Sequence, residues 1–297
     1  MQYFLIGYYG FDNVGDECCL KKTQQLILDG DSSAVFLILH VTSNYLKGYV
    51  NRWSFFAILK AIWRSDVIVF GGGSLLQTVT SRLSFFYYLS VIVLSKLCCK
   101  KVMLLGQGLG PVNGYVMNRV LGVVLSLVDR ISIRDKGSYH LLIKPMKSSV
   151  ILSSDLSFYK EETKFDLMGS GLGLNLRPSL LTEGHVDAIV DCLQTIGPKL
   201  TYFVFQKDQD LSVLSEAHTI DLSTKFIHDL SVSETEETVC FMVVMRYHAA
   251  VWCALRGIPF IALAYDPKVV SIAEDLGQEW MSISDAFDIN AFDTLCR

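Results

Sequence analysis

The 297-residue chain lacks the cysteine spacings and long apolar runs that define several protein classes. It has no C-x-x-C pair, and adjacent cysteines such as Cys18-Cys19 and Cys98-Cys99 rarely bridge each other. We therefore expect its eight cysteines to be small buried hydrophobes in a reducing compartment, without disulfides or a metal site. The longest apolar run, residues 85–94, is short of the roughly 20 residues that span a bilayer.

An excess of positive charge is also missing, because 26 Lys and Arg face 30 Asp and Glu, for a net charge of -4. Proteins that bind nucleic acid usually present a basic face, so we expect no nucleic-acid partner. The first residues carry no basic n-region and reach acidic residues quickly, which is unlike a signal peptide. These absences favour a cytoplasmic protein whose ligands are small or are carried on a membrane.

Hydrophobic residues make up 51% of the chain and occur in short runs, each followed by glycines or a polar turn and then a helical stretch. This order of strand, turn and helix predicts a parallel α/β sheet. In the first half of the chain the predicted strands are residues 3–7, 34–40, 66–70, 101–105 and 130–133.

Residues 160–170 are polar and lose this periodicity, after which the pattern starts again. We therefore predict an α/β protein of two Rossmann-like lobes with parallel sheets, residues 1–165 and 166–297. Ligands of open α/β sheets bind beyond the carboxyl ends of the strands, so we expect the loops there to face a cleft between the lobes. The predicted strands of the second lobe are residues 172–176, 201–205, 238–244 and 260–264, and its predicted helices include 185–196 and 248–255.

Three glycine-rich loops follow predicted strands of the first lobe. The loop at residues 7–17 resembles neither G-x-G-x-x-G nor a Walker A loop, and on its own it favours a plain turn with Asn13 or Asp16 as a helix cap. The loop at residues 71–77 fits a ligand that touches backbone about as well as it fits tight packing. The loop at residues 106–111 is the third of its kind at a strand end, and turn chemistry alone does not readily explain three. Gln107 offers both a donor and an acceptor for a sugar or a carboxylate.

Charged residues follow several strands as well. Arg134-Asp135, with Asp155 in a later loop, favours a structural ion pair over an anion site. Arg177 and Lys268 fit anion binding and solvated loop positions about equally. A histidine on an apolar face is more often a core residue than a catalyst, but Arg246 near His248 favours function, because a buried arginine needs an anion.

Taken in order, these segments resemble the polysaccharide pyruvyl transferase family, and within it the CsaB-type branch that modifies secondary cell-wall polymers. Thr78 and Tyr247 stand where the family usually has an acid and a leucine. The resemblance runs from Gly7 to Val269 and is carried by GYYGFDNVGDE, VFGGGSLLQ, GQGLGP, ISIRD, LNLRP and MRYHAAVWCALRGIPFIALAYDPKV.

The resemblance implies a fold similar to GT-B glycosyltransferases, phosphoenolpyruvate as donor, and a lipid-linked amino-sugar acceptor such as an N-acetylmannosamine-containing disaccharide. The product would be a 4,6-ketal, formed without a metal or nucleotide cofactor. Arg246 and His248 are then the expected catalytic residues. The other expected site residues are Arg177, Lys268, Gly106, Gln107 and Gly108 on the donor, and Asp12, Asn13, Asp16, Gly72, Gly73, Ser74 and Gln77 on the acceptor.

Residues 45–64 mix aromatic and basic residues and contain no acid. Such a segment fits a peripheral contact with the inner face of the cytoplasmic membrane, and it fits an amphipathic helix packed on the lobe slightly better. Two rival functions stay open. One is a nucleotide-sugar glycosyltransferase, with Asp266 or Glu274 reading the ribose, and the other is a non-catalytic glycan-binding paralogue.

Overall fold

The computed structural model describes residues 1–142, 149–162, 170–177, 181–197, 199–216, 222–230, 239–283 and 288–296. The chain divides into two compact units, Met1–Tyr159 (unit 1) and Lys160–Arg297 (unit 2). The predicted lobe boundary at 165/166 falls among residues 163–169, which lie outside the described residues, so it stays a prediction.

The described part of unit 1 contains a parallel sheet of seven strands in the order β3-β2-β1-β4-β5-β6-β7. The strand order reverses between β1 and β4, so the loops that follow these two strands flank the position where such sheets bind ligands. The strands are β1 (Gln2–Ile6), β2 (Val35–His40), β3 (Tyr49–Asn51), β4 (Val67–Gly71), β5 (Lys101–Gln107), β6 (Arg130–Ile133) and β7 (Val150–Leu152).

Alternating strand residues bury the two faces of this sheet against different helices. Phe4, Ile68 and Phe70 belong to a core shared with α2, α3 and α4, whereas Leu5 and Val69 pack with residues of α1. This alternation follows from the two-residue period of a strand. The helices are α1 (Val14–Gly30), α2 (Phe55–Arg64), α3 (Arg82–Leu97), α4 (Tyr115–Leu125) and α5 (Lys136–His140), with short 3-10 turns at Tyr45–Lys47 and Leu156–Phe158. The helix expected over residues 45–64 is therefore wrong in its first half, where a 3-10 turn and β3 precede α2.

In unit 2 the described residues form a six-strand parallel sheet in the order β10-β9-β8-β11-β12-β13. Its strand order reverses between β8 and β11. The strands are β8 (Gly171–Asn175), β9 (Leu200–Val204), β10 (Ser223–Phe226), β11 (Val239–Val244), β12 (Phe260–Ala264) and β13 (Glu279–Ser282). The helices are α6 (Glu183–Ile196), α7 (Lys207–Glu216), α8 (Tyr247–Arg256), α9 (Pro267–Asp275) and α10 (Ile289–Cys296).

The predicted strands all coincide with strands of the structure, within a few residues at their ends. The strands that the sequence did not reveal are β3, β7, β10 and β13, and each lies at an edge of its sheet. An edge strand pairs on one side only and stays partly exposed, so its sequence does not need a continuous apolar run.

The expectation that the cysteines are buried holds for four of the eight, Cys18, Cys19, Cys192 and Cys253. Cys98, Cys240 and Cys296 are half-buried, and Cys99 is exposed in the turn after α3, where its backbone is left-handed (φ 57°). Within the described residues, no helix combines the length and the apolar character that crossing a bilayer requires.

Candidate functional site

The glycine loops that follow β4 and β5 lie side by side in unit 1. The Gly72 amide donates to the Leu105 carbonyl at 2.8 Å, and the Gly108 amide donates to the Gly73 carbonyl at 2.8 Å. The side-chain amide of Gln107 donates to the Gly72 carbonyl. The structure thus brings two sets of predicted site residues, 72–74 and 106–108, to one edge of the sheet.

The glycines in these loops are required by the groups packed against them. Gly73 has φ +75°, and a Cβ atom there would lie 2.9 Å from Oδ1 of Asp16. A Cβ atom at Gly108 would lie 2.5 Å from the Ser74 hydroxyl oxygen. Asp16 and Ser74, both expected on the acceptor, therefore lie directly against the glycine loops.

Arg134 and Asp155 form a buried ion pair behind Ser74. The Nη1 atom of Arg134 lies 2.8 Å from Oδ2 of Asp155, with side-chain exposures of 2% and 0%. Its Nη2 atom donates to the Ser74 hydroxyl at 2.8 Å. The structural ion pair favoured by the sequence is present, and it also fixes the orientation of Ser74.

Gln107 is fully buried, and its Oε1 atom has no hydrogen-bond partner among the described residues. A buried acceptor without a partner costs about 1–3 kcal/mol. A ligand hydroxyl or amide would satisfy this atom, which fits a sugar better than a carboxylate, the two groups that the sequence suggested for Gln107. Its expected contact with the donor stays a prediction.

Other expected acceptor residues have local partners. Asn13 caps α1 by accepting from the Gly15 amide at 3.1 Å. Gln77 donates to the Thr80 hydroxyl at 2.7 Å and accepts from the Thr80 amide at 2.9 Å. Asp12 is exposed in the same loop as Asn13, with φ 52°. Gln77 is the last residue of the loop at residues 71–77, and these contacts hold its side chain on Thr80.

Sequence reasoning missed Arg52, which directly follows β3 and is buried. Its guanidinium carbon lies 4.8 Å from the Phe11 ring centre and 5.7 Å from that of Tyr8. Its Nη2 atom donates to the Tyr88 hydroxyl at 2.8 Å, while Nη1 has no hydrogen-bond partner among the described residues. Burial raises the pKa of Tyr88 to about 12, so this hydroxyl stays protonated. No feature of the sequence distinguished Arg52 from the exposed cations near it along the chain.

In unit 2, Arg246 and His248 lie at the turn from β11 into α8, as expected. The Nε atom of Arg246 lies 2.6 Å from Oδ1 of Asp210, and its terminal nitrogens donate to Gln206 and Gln209, each at 3.1 Å. The anion that a buried Arg246 requires is therefore Asp210, which the sequence analysis did not identify. His248 lies in the first turn of α8 and is half-buried.

Asp210 is itself held by backbone, which fixes the position of Arg246. It accepts from the amides of Phe205 at 2.8 Å and Gln206 at 3.0 Å, at the carboxyl end of β9. Burial and the nearby Asp210 raise the pKa of Tyr202, whose hydroxyl donates to the Asp210 carbonyl at 3.0 Å. The loop after β9 and its carboxylate thus orient the arginine that follows β11, although β8 lies between these two strands in the sheet.

Arg177 and Lys268 complete this edge of the unit 2 sheet. Arg177 donates to the Tyr265 hydroxyl at 2.7 Å and lies 4.9 Å from the centre of that ring. Asp266 caps α9, and Lys268 Nζ lies 3.3 Å from its Oδ2 atom. Because β8, β11 and β12 are neighbours, their ends carry Arg177, Arg246, His248 and Lys268 along one edge.

Known structures share this fold at low sequence identity. A protein described as a UDP-N-acetylglucosamine 2-epimerase from Listeria monocytogenes superposes with a TM-score of 0.57 at 12% identity, over 100% of this chain and 88% of that one. The UDP-GlcNAc 2-epimerase from Methanocaldococcus jannaschii gives 0.55 at 10% identity, over 100% and 92%. The S. aureus MnaA-UDP co-structure gives 0.52 at 11% identity, over 94% and 88%. No curated protein matches the sequence significantly.

The fold and the strand-end residues define the chain as a GT-B-like α/β protein of two Rossmann-like lobes, as predicted. A family model for polysaccharide pyruvyl transferase matches residues 13–267, which is most of the chain. The chain therefore belongs to the polysaccharide pyruvyl transferase family, and the resemblance seen in its motifs is confirmed at this level.

Proposed function

We propose that the protein transfers the enolpyruvyl unit of phosphoenolpyruvate to a sugar of a lipid-linked cell-wall polysaccharide precursor and closes a 4,6-ketal. The observation that carries the proposal is the set of cations and the histidine at the ends of β8, β11 and β12. Phosphoenolpyruvate has a phosphate and a carboxylate, and arginine side chains bind such groups with two parallel hydrogen bonds.

The cationic side chains expected at the donor differ in how firmly other residues hold them. Arg177 rests on Tyr265, which leaves guanidinium hydrogens for an oxygen of the donor. Arg246, expected as a catalytic residue, has its guanidinium held and its charge compensated by Asp210, so we assign it to positioning the N-terminus of α8, whose dipole favours an anion. Lys268 lies beside Asp266 and is half-buried, which allows it to reach a phosphate as a point charge.

The proposed reaction balances without a metal or nucleotide cofactor. Protonation of the methylene carbon of phosphoenolpyruvate creates an oxocarbenium-like centre, and one sugar hydroxyl adds to it. The bond to phosphate then breaks, and the second hydroxyl adds to the same carbon. Of the two hydroxyl protons, one makes up for the proton added to the new methyl group, and the other leaves with phosphate. We assign His248 as the proton donor, a role that accelerates reactions about 10²- to 10⁴-fold.

For the acceptor, unit 1 offers the Ser74 hydroxyl and the Oε1 atom of Gln107. We thereby assign Gln107, expected on the donor, to the acceptor instead, because its unpaired oxygen accepts a hydrogen bond from a hydroxyl. Asp16 lies against Gly73 and is our candidate for accepting a sugar proton. Arg52 adds a buried cation beside the same loop, which would suit a phosphate of the lipid carrier. A lipid-linked acceptor places the enzyme at the cytoplasmic face of the membrane.

The decisive experiment measures phosphate release from phosphoenolpyruvate with N-acetylmannosamine-containing lipid-linked disaccharides, and the mass of the product. We expect release that depends on the acceptor, and a product heavier by one pyruvate ketal. A thermal-shift series with phosphoenolpyruvate and UDP-sugars runs beside it, since a ligand at 100 times its Kd stabilises by about 2.7 kcal/mol. Stabilisation by UDP-sugars alone, or sugar binding without phosphate release, would overturn the proposal.

A further inference from the structure

We propose that the outer face of α2, with the adjoining starts of α3 and α4, docks on an anionic phospholipid bilayer, and that a cavity beside α2 takes a phosphate-bearing headgroup. The inference rests on the proposed function only for the reason why the enzyme visits a membrane. Its evidence is the distribution of charge, aromatic exposure and cavity lining in unit 1.

Charge is strongly segregated in this part of the chain. Residues 32–128 contain nine Lys and Arg but a single acid, Asp66, although the whole chain has a net charge of -4. Asp66 accepts from the Gln2 amide at 2.8 Å at the start of β1. Of the nine cations, Lys96 pairs with Asp129 at 2.8 Å. Lys60 and Arg64 have no ion pair among the described residues, so α2 presents uncompensated positive charge.

The outer face of α2 combines this charge with exposed aromatic rings. Phe56, Lys60 and Trp63 follow one another at helical spacing, and Ile58 and Ile62 on the opposite side are buried in the core. Phe56 is 80% exposed and Trp63 is 73% exposed. A helix with a buried face would normally turn polar residues outward, so these rings are exposed without any packing reason within the described part of unit 1.

The next two helices, α3 and α4, also expose apolar side chains beside cations. Helix α2 packs against α3, and α3 packs against α4. Leu83, at the start of α3, is 83% exposed, and Tyr115, at the start of α4, is 78% exposed. Arg82 and Arg119 are exposed beside them. Three neighbouring helices therefore each expose large apolar side chains beside cations.

A cavity of about 420 Å³ opens beside α2, between this helix and strands β2 and β3. Lys60 and Arg64 line it from one side of the helix, since they are four residues apart, and Ser43, Asn51 and Ser54 add polar groups. No acidic residue lines it. Two cations and several hydroxyl or amide groups around one space suit a phosphate with its attached alcohol.

A bilayer explains these features together better than a protein partner does. Protein interfaces are depleted in lysine and in charge at their centre, whereas Lys60 lies between Phe56 and Trp63. Aromatic rings that carry a polar group are favoured at the level of lipid headgroups, and basic side chains beside them bind acidic lipids. Each cation near an anionic surface contributes about 1 kcal/mol.

The test is co-sedimentation of the full chain with vesicles, without phosphoenolpyruvate or acceptor. We expect binding to vesicles of equal parts phosphatidylglycerol and phosphatidylcholine, and little to phosphatidylcholine alone. The double variant Lys60→Gln/Arg64→Gln should weaken binding on the order of tenfold to thirtyfold. Trp63→Ala should weaken it about tenfold and blunt the shift of tryptophan fluorescence on binding.

The matched control is Lys21→Gln/Lys22→Gln, which removes the same charge from α1 on the other face of the sheet. It should bind vesicles like the wild type, and equal weakening in both double variants would reduce the effect to net charge and overturn the proposal. Binding of inorganic phosphate that Lys60→Gln/Arg64→Gln abolishes, with no binding to either vesicle, would also overturn it in favour of a soluble ligand.

Failure here is distinguishable from failure of the proposed transferase. Phosphate release with a water-soluble acceptor analogue should be unchanged in Lys60→Gln/Arg64→Gln, because neither residue belongs to the candidate active site. Vesicle binding without transferase activity would refute the proposed function alone. Activity on the soluble analogue without vesicle binding would refute the docking surface alone.

Discussion

Each unit holds a buried arginine–aspartate pair at the carboxyl ends of its strands, but the two pairs lie in different surroundings. In unit 1, Arg134 and Asp155 are 2% and 0% exposed and are covered by glycine loops. In unit 2, Arg246 is 11% exposed, caps α8 and is two residues from His248. The first pair is closed to solvent, whereas the arginine of the second pair is partly exposed.

A similar ion pair therefore supports two kinds of binding surface, one for a neutral ligand and one for an anion. In unit 1, Arg134 orients the half-buried Ser74 hydroxyl beside the buried glycine loops, which suits a neutral, hydroxyl-rich ligand. Unit 2 uses Asp210 to hold Arg246 while Arg177 and Lys268 stay near solvent, which suits an anion. The sequence of each half reflects this, with three glycine loops in the first and isolated cations in the second.

The largest expected effect is on turnover in unit 2. His248→Ala should lower the rate of phosphate release about 10²- to 10⁴-fold, because a positioned proton donor is lost. The affinity for phosphoenolpyruvate should change little, since the cations remain. Steady-state phosphate release and a thermal shift with the donor measure the two quantities separately.

The control for this variant is His185→Ala, which removes a histidine at the start of α6. It should keep wild-type turnover. If His248→Ala also turned over like the wild type, the catalytic assignment would be wrong and unit 2 would be left as a binding surface.

The two ion pairs can be compared directly by neutralising each aspartate. Asp155→Asn and Asp210→Asn should each lower the free energy of unfolding by about 3–5 kcal/mol, because each leaves a buried arginine without its anion. Only Asp210→Asn should also weaken donor binding, since it releases Arg246. Denaturant unfolding and donor titration of both variants test this, and equal loss of donor affinity in both would erase the distinction between the units.

Much of the fold was predictable because it depends on short apolar runs, and every run that is buried on both faces became a strand. The edge strands β3 and β10 were not, because partial exposure removes the apolar signal. Arg246 and His248 were found from their neighbourhood, yet Asp210 was missed. Its role depends on the loop after β9 meeting the end of β11, and no local pattern records that contact. Arg52 was missed for the same reason.

The glycine loops offer a third comparison, between a glycine that packing requires and one that it does not. Gly108→Ala should destabilise unit 1 by about 1–3 kcal/mol, because the added Cβ atom overpacks Ser74 and Arg134. Its Cβ atom would lie 2.5 Å from the Ser74 hydroxyl oxygen and 3.0 Å from Nε of Arg134. Thermal or denaturant unfolding measures the loss.

The matched substitution in unit 2 is Gly184→Ala, in the first turn of α6, where an added Cβ atom meets nothing within 4 Å. It should stabilise by about 0.4–1 kcal/mol, because alanine restricts the unfolded chain and favours helix. Equal effects of the two alanines would mean that the glycine loops of unit 1 are not held as tightly as the contacts around Ser74 indicate.

The smallest effect is on the pH dependence of stability, and it tests whether the strand ends of unit 1 are uncharged. His40 ends β2, stacks on Tyr49 with ring centres 4.1 Å apart, and accepts from the Thr42 amide at 3.1 Å. Burial lowers the pKa of His40 below its ordinary value of 6.5. The folded state therefore binds this proton less readily than the unfolded state does. Stability present above pH 6.5 is lost as the pH falls through the lowered pKa.

Replacing His40 with glutamine should flatten this part of the pH profile of unfolding. The change should stay below about 1 kcal/mol, because the ring is only half-buried and solvent screens its charge. Denaturant unfolding at a series of pH values, with an NMR titration of His40, checks both the sign and the size. A steeper acid loss in His40→Gln than in the wild type would mean that His40 is charged in the folded protein, and that the strand ends of unit 1 are less neutral than those contacts imply.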